Sequence, residues 1–448
     1  MSTSSQQSGI SNQATGIGQQ DSGLRTQDSM QELESLVEKC NRCGFCQAGC
    51  PTYKTTGLEW QVSRGRVALV RNILENRIEL LEDDVREALG TCLRCAGCTT
   101  HCPPQVPTAE IVEKAVEHLV QLKGMPWVQR VIFRSLLPNK GLLDSTGKAV
   151  WFSQVTGLQP AAKGLGLTRI LGRDVHRAQD TLPKMNSRSA RQSLSSVMRP
   201  IPNRKYRVAY FIGCGTDLVF PGVAVSMVRV LYANNTEVLI PSVVDCGKPP
   251  MVYGDSEAAR KLAMANIDAM YGMDVDAIVT DCATCGSMIR EYPKLFANDG
   301  EYLEKAKAVA GKMKDISEFL AGIEFNDRLG ELKAKITYHD PCHLVRYQKV
   351  TAQPRNILKG IPGLEFKEAA EADMCCGGAG SFFLTHYDLS QKVLSRKMGN
   401  VSRTGASFLA TGCPGCMMQL SSGLKKHDLP MQVIHTVQLL DKAYSSAK

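Results

Sequence analysis

Two segments of the chain carry cysteine at a spacing that suits one kind of chemistry. Cys40-Asn-Arg-Cys43-Gly-Phe-Cys46-Gln-Ala-Gly-Cys50-Pro51 and Cys92-Leu-Arg-Cys95-Ala-Gly-Cys98-Thr-Thr-His-Cys102-Pro103 both follow C-x2-C-x2-C-x3-C-P. Three thiolates on one tight loop can hold three irons of a [4Fe-4S] cubane, while the fourth points away and ligates the cubane of the other loop. The pattern assigns Cys40, Cys43, Cys46 and Cys102 to one cluster. Cys50, Cys92, Cys95 and Cys98 belong to the second. Zinc ribbons also begin C-x2-C, but a third cysteine at that interval followed by Cys-Pro, twice over, is not their spacing.

The other nine cysteines also repeat. Cys214, Cys246-Gly247 and Cys282-Ala-Thr-Cys285 are followed by Cys342, Cys375-Cys376-Gly377 and Cys413-Pro-Gly-Cys416, with steps of 32, 36 and 3 against 34, 37 and 3. The recurrence implies two related lobes packed as a pseudo-twofold pair. Adjacent cysteines rarely both ligate one tetrahedral ion, so Cys342, Cys375, Cys376, Cys413 and Cys416 suit a larger, irregular cluster, with a four-cysteine zinc site as the alternative. Gly377, Gly378 and Gly380 let backbone amides approach sulfur. In the first set Asp245 stands where a cysteine would complete the pair. Cys214, Cys246, Cys282 and Cys285 therefore suit a cubane, a single metal ion or an empty lobe kept for packing. His339 and His343 flank Cys342 and have three open roles: a hydrogen bond to cluster sulfur, proton transfer, or none. They are not counted as ligands.

The elements around these residues can be read from periodicity. Leu33, Leu36 and Val37 mark one helical face, and Val67, Val70, Ile73 and Leu74 another. A third helix runs from Thr108, its expected cap, to Gly124, with Ile111, Val112, Ala115, Val116, Leu119 and Val120 as its apolar stripe. From residue 205 onward short β-rich runs (207–212, 276–280, 335–338) each end just before a cysteine and are followed by a helical pattern. Such alternation predicts a largely parallel sheet with ligand sites beyond the carboxyl ends of its strands. The expected fold is α plus α/β, a helical two-cluster ferredoxin domain followed by two related α/β cysteine-rich lobes. Its segments are a disordered tail (1–29), the ferredoxin domain (30–124), a basic linker (125–203), lobe 1 (204–325) and lobe 2 (326–448).

Composition narrows the function further. The 448 residues suffice for about three domains without disulfide staples, so size does not explain 17 cysteines. The first 29 residues lack the apolar stretch of a signal peptide, and no run of 18 apolar residues occurs. The expected location is cytoplasmic, with peripheral contact on the inner membrane face open. In that reducing compartment clustered cysteines are metal ligands rather than disulfides. Net charge is +9, and residues 163–207 hold 11 Lys or Arg against Asp174 and Asp180. That stretch reads as a solvated linker, with anionic lipid or an acidic partner as the rival. No nucleic-acid motif accompanies it, and no nucleic-acid partner is expected. No G-x-G-x-x-G, P-loop or nucleophile-base set is present, so oxidation of an organic substrate is expected elsewhere.

The paired Cys-Pro motifs, Tyr338-His-Asp-Pro-Cys-His343, Cys375-Cys-Gly-Gly-Ala-Gly380 and Gly412-Cys-Pro-Gly-Cys416 together resemble the iron-sulfur subunits of glycolate oxidase and D-lactate dehydrogenases. Subunits of heterodisulfide reductase and of anaerobic glycerol-3-phosphate dehydrogenase share these parts. The resemblance implies an electron-transfer subunit of a 2-hydroxy-acid oxidising complex. FAD would sit only on a partner subunit, and electrons would pass toward quinone or another, membrane-bound acceptor. It also implies a non-cubane [4Fe-4S] cluster on Cys342, Cys375, Cys376, Cys413 and Cys416. The rival reading makes that cluster a catalytic centre that cleaves a disulfide by itself.

Eight motif cysteines can hold two cubanes, so anaerobically purified protein is expected to contain at least about eight irons. Iron and sulfide analysis checks this, and zinc in place of iron after anaerobic reconstitution would overturn it.

Overall fold

The computed structural model describes residues 30–179 and 181–447. The expected tail lies outside them. Residues 30–38 are helical and bury Leu33, Leu36 and Val37. These meet α1 (Pro51–Thr56), α2 (Ser63–Leu74), α3 (Asp83–Gly90) and α4 (Thr108–Lys123) around Val67, Val70, Leu89, Ile111 and Val112. Arg66 is almost fully buried, yet its guanidinium donates to Gln61 O, Ala88 O and Thr91 Oγ1, so α2 is fastened to the end of α3 without an unpaired charge donor. The expected cap on α4 is corrected. Pro107 holds the cap position, and Thr108 lies inside the helix, where its hydroxyl meets Ser63 Oγ at 2.6 Å. The starts of α2 and α4 thus hold each other. Gly124 ends α4 at φ +78°, a conformation cheap only for glycine.

Short helices follow, the longest being α5 (Lys140–Val155). Beyond them the basic stretch departs from a freely solvated linker. Arg177 pairs with Asp388 at 2.6 Å, Arg191 with Asp217 at 3.3 Å, Lys205 with Glu324 at 2.8 Å and Arg207 with Glu237 at 2.7 Å. Acidic groups of the lobes match much of this charge within the same chain. Each exposed pair contributes little, so this strap follows the lobes rather than organising them.

The lobes repeat one topology. β1 (Tyr206–Tyr210), β2 (Thr236–Leu239), β3 (Ala277–Thr280) and β4 (Met313–Asp315) form a parallel sheet in the order β2-β1-β3-β4. β5 (Ala334–Tyr338), β6 (Leu364–Phe366), β7 (Phe408–Thr411) and β8 (Gln432–His435) form the second, in the order β6-β5-β7-β8. Strand order reverses between β1 and β3 and between β5 and β7, and at such switch points a crevice opens beyond the strand ends. Cys214 and Cys282 follow β1 and β3. Cys342 and Cys413 follow β5 and β7. The principal helices are α6 (Pro221–Ala233), α7 (Ser256–Met270) and α8 (Ala283–Leu295) in lobe 1. Lobe 2 has α9 (Tyr387–Ser402), α10 (Pro414–Lys426) and α11 (Thr436–Ser446). One apolar core runs through both lobes, with Val228 and Leu231 of α6 in the same cluster as Leu440 and Ala443 of α11.

The helical domain docks on both lobes. Lys248 of lobe 1, only 4% exposed, reaches Glu113 of α4 at 3.1 Å and Glu291 of α8 at 3.4 Å. Arg346 and Tyr347 of lobe 2 donate to Cys95 O and Arg94 O at 3.2 and 2.7 Å. Removing one partner of a buried pair leaves the other charge unpaired. Lys248→Met is accordingly expected to cost about 3–5 kcal/mol in denaturant unfolding, and Lys248→Met with Glu113→Leu to recover most of it. Equal losses in the single and double variants would show that the ion pair is not what matters there.

Candidate metal centres

The two Cys-Pro loops fold alike. Arg42 and Gly44 in the first, and Arg94 and Ala96 in the second, have φ of +56°, +90°, +49° and +54°. Left-handed backbone costs a non-glycine residue about 1 kcal/mol or more, and the same twist at matched positions wraps each loop inward. The short helices Cys46–Gly49 and Gly97–Thr100 then cross with backbone against backbone. A Cβ on Gly49 would lie 2.1 Å from Gly97 O, and one on Gly97 would lie 2.4 Å from Gly49 O. Only glycine allows this approach.

The eight thiols sort into two groups. Cys40, Cys43, Cys46 and Cys102 line one cavity with Gly44, Ser63 and Arg64, and Cys43 is exposed. The second group is buried more deeply: burial pushes the Cys98 thiol up to about 12, helped by Cys92, Cys95 and Cys50 around it. The fourth cysteine of each motif therefore lies with the other motif's first three. All 17 cysteines are free thiols. A thiol kept protonated by burial and by like neighbours becomes a thiolate when a cation replaces its proton, so both sets fit a positively charged metal group.

In lobe 2 the expected five cysteines converge. Cys375 lies beside Cys342 and also beside Cys95 of the helical domain, whose thiol it pushes well above the ordinary value. Cys376 lies beside Cys416, and Cys416 beside Cys413. The Gly377 N–H donates to Cys375 Sγ at 3.5 Å. His339 is 1% exposed, and both of its ring nitrogens are buried without a hydrogen-bond partner. Burial, followed by the charge of Lys397, pushes its imidazole down to about 3, so the ring is neutral. Lys397 itself is fully buried on α9, donates to Glu371 O and Ala372 O, and is pushed down to about 8 by burial. A cation enclosed beside thiols offsets their negative charge.

Lobe 1 repeats the frame with other donors. Cys246, Cys285 and Cys282 lie in sequence against one another, and Cys282 meets its repeat equivalent Cys413 across the lobe boundary. Beside them Ala283 N donates to Gly412 O at 3.3 Å. Burial keeps the Cys214 thiol high, helped by Asp245 against it. Gly247 N donates to Asp245 Oδ1 at 2.9 Å, as Gly377 N donates to Cys375 Sγ. A carboxylate thus occupies the place of the fifth sulfur, and its second oxygen is buried without a partner. The donor set remains metal-like but is harder.

The thiol contacts join end to end. From Cys95 they pass through Cys375, Cys376, Cys416, Cys413, Cys282 and Cys285 to Cys246. Sequence spacing groups these residues within each unit but carries no sign of the contact between Cys95 and Cys375 or between Cys282 and Cys413. The Lys397 position did leave a signal, a lysine on the stripe Val393, Leu394, Met398, Val401.

Residues 36–106 match the family model of the 4Fe-4S dicluster domain, and residues 208–290 and 336–421 each match that of the cysteine-rich domain. Residues 124–182 match the linker region of the glycolate oxidase iron-sulfur subunit. Among curated relatives, the "Probable glycolate oxidase iron-sulfur subunit" of Bacillus subtilis is 33% identical over 90% of this chain and 93% of its own length. The "Glycolate oxidase iron-sulfur subunit" of Escherichia coli is 27% identical over 92% and 95%. "Lactate utilization protein A" of Shouchella clausii is 30% identical over 52% of this chain and 98% of its own length.

The grouping of Cys102 with Cys40, Cys43 and Cys46 has a direct test. In Cys102→Ser the centre of that group is expected to be lost while the centre of Cys92, Cys95 and Cys98 keeps its spectrum. Resolved electron paramagnetic resonance of the two checks it, and loss of the second centre alone would reverse the grouping.

Proposed function

Since the chain belongs to the glycolate oxidase iron-sulfur subunit family, we propose that it is the electron relay of a complex oxidising a 2-hydroxy acid, glycolate or D-lactate. An FAD-binding partner subunit takes the substrate's electrons, and this chain passes them toward quinone or another acceptor. Two [4Fe-4S] clusters sit on the eight Cys-Pro motif cysteines, and a non-cubane cluster on Cys342, Cys375, Cys376, Cys413 and Cys416. Cys214, Cys246, Cys282 and Cys285 with Asp245 form a fourth, harder site. When bound, each cluster takes up and releases an electron at a potential set by its ligands, hydrogen bonds and exposure.

The observation that carries this reading is the unbroken file of thiols from the helical domain into both lobes. Its members do separate work. Outside the file, exposed Cys43 puts the Cys40, Cys43, Cys46 and Cys102 group at the surface, where a partner can meet it. Buried Cys95 and Cys375 keep water from the junction between the helical domain and lobe 2. The Gly377 amide and the Lys397 ammonium favour negative charge on the lobe 2 sulfurs.

The test pairs this chain with its FAD-binding partner under anaerobic conditions. Glycolate or D-lactate is expected to reduce the iron centres only when the flavoprotein is present. Cys95→Ser, at the junction, is expected to lower substrate-driven dye reduction through this chain by at least about tenfold, ~1.4 kcal/mol in barrier. Turnover of disulfides by the reduced chain alone would instead favour the catalytic reading.

A further inference from the structure

We propose that the His339 imidazole is a nitrogen ligand to the lobe 2 iron centre, sharing one metal with Cys376 and Cys416. The inference rests on the reading that lobe 2 holds an iron-sulfur cluster. It adds a donor that the five-cysteine pattern does not contain.

Three observations converge on it. One ligand atom each of His339, Cys376 and Cys416 lies within 4.8 Å of the others, a spacing at which all three can reach one ion. Both His339 ring nitrogens are buried without a hydrogen-bond partner. An unsatisfied buried polar atom is destabilising, so the ring is held at a loss unless something occupies it. The repeat supplies the third observation. His339 N donates to Ala410 O at 2.9 Å, and in lobe 1 Phe211 N donates to Val279 O at 2.9 Å, so the two residues hold the same place in the fold. Phe211 simply joins an apolar core shared by the two lobes. The fold therefore accepts an apolar ring at this position, and the polar ring occurs in the lobe that has five thiols. His343 is placed differently, with Nδ1 3.8 Å from Cys342 Sγ and its ring stacked on Tyr347 at 4.7 Å.

Imidazole is an accepted iron ligand, and as a neutral donor it adds no further negative charge to a centre already surrounded by five thiols.

The experiment uses the full chain, purified anaerobically with natural-abundance or 15N-labelled histidine. Pulsed electron paramagnetic resonance is read on the signal that disappears in Cys376→Ser. A direct ring-nitrogen coupling is expected that changes on labelling, persists in His343→Ala and vanishes in His339→Ala, while the paramagnetic signal and iron content of that variant remain. A Cys376-dependent signal without strong histidine nitrogen coupling in the native chain would overturn the ligand alone. Survival of the coupling in His339→Ala would do the same. Absence of any Cys376-dependent signal would remove the lobe 2 cluster, and the proposal with it.

Discussion

Many thiols brought together away from water cannot all ionise unless positive charge lies among them. That constraint shapes this molecule more than any single contact. Hydrogen bonding to Cys375 and burial hold Cys95 and Cys342 in the protonated form, and burial with neighbouring negative groups does the same for Cys98 and Cys214, so an apo interior is a store of protons waiting to be exchanged for metal. The fold supplies what help it can. Cys282 and Cys413 stand at the starts of α8 and α10, where unpaired amides favour negative charge, and Lys397 adds a buried cation in lobe 2.

Symmetry explains how so many thiols come to one place. Each parallel sheet opens a crevice where its strand order reverses, and the pseudo-twofold arrangement turns the two crevices toward each other so that Cys282 meets Cys413. The helical domain closes the remaining side by setting Cys95 against Cys375. Within this shared frame the lobes differ where donors are chosen. Cys375 has Asp245 as its counterpart and His339 has Phe211, so one backbone presents two different donor sets.

Much of this is legible in the sequence, and the reasons are physical. Strand runs ending in cysteine gave β1, β3 and β5 to within about two residues, because buried parallel strands must be continuously apolar. Ligand spacing grouped the cysteines because a cluster tolerates few loop lengths. Contacts between units left no such trace. The Arg346 and Tyr347 donors to the second loop join residues some 250 positions apart, a distance over which one sequence carries no periodic signal. Thr108 misled because a hydroxyl before an apolar stripe usually caps, whereas here Ser63 offered it a partner across the domain. His339 remained open because a histidine next to cysteine looks the same in sequence whether its nitrogens are paired or not.

The crossing of Gly49 and Gly97 bears on how such a chain can change over time. With each Cβ position already occupied by the other glycine's carbonyl, neither residue can gain even a methyl group unless the two loops separate. Electron tunnelling weakens steeply as a gap widens, so a mutation there would act as a spacer, slowing passage between centres whose ligands it leaves untouched. Loss of a cysteine removes a donor, whereas a methyl group at either glycine would act through distance and leave every donor in place.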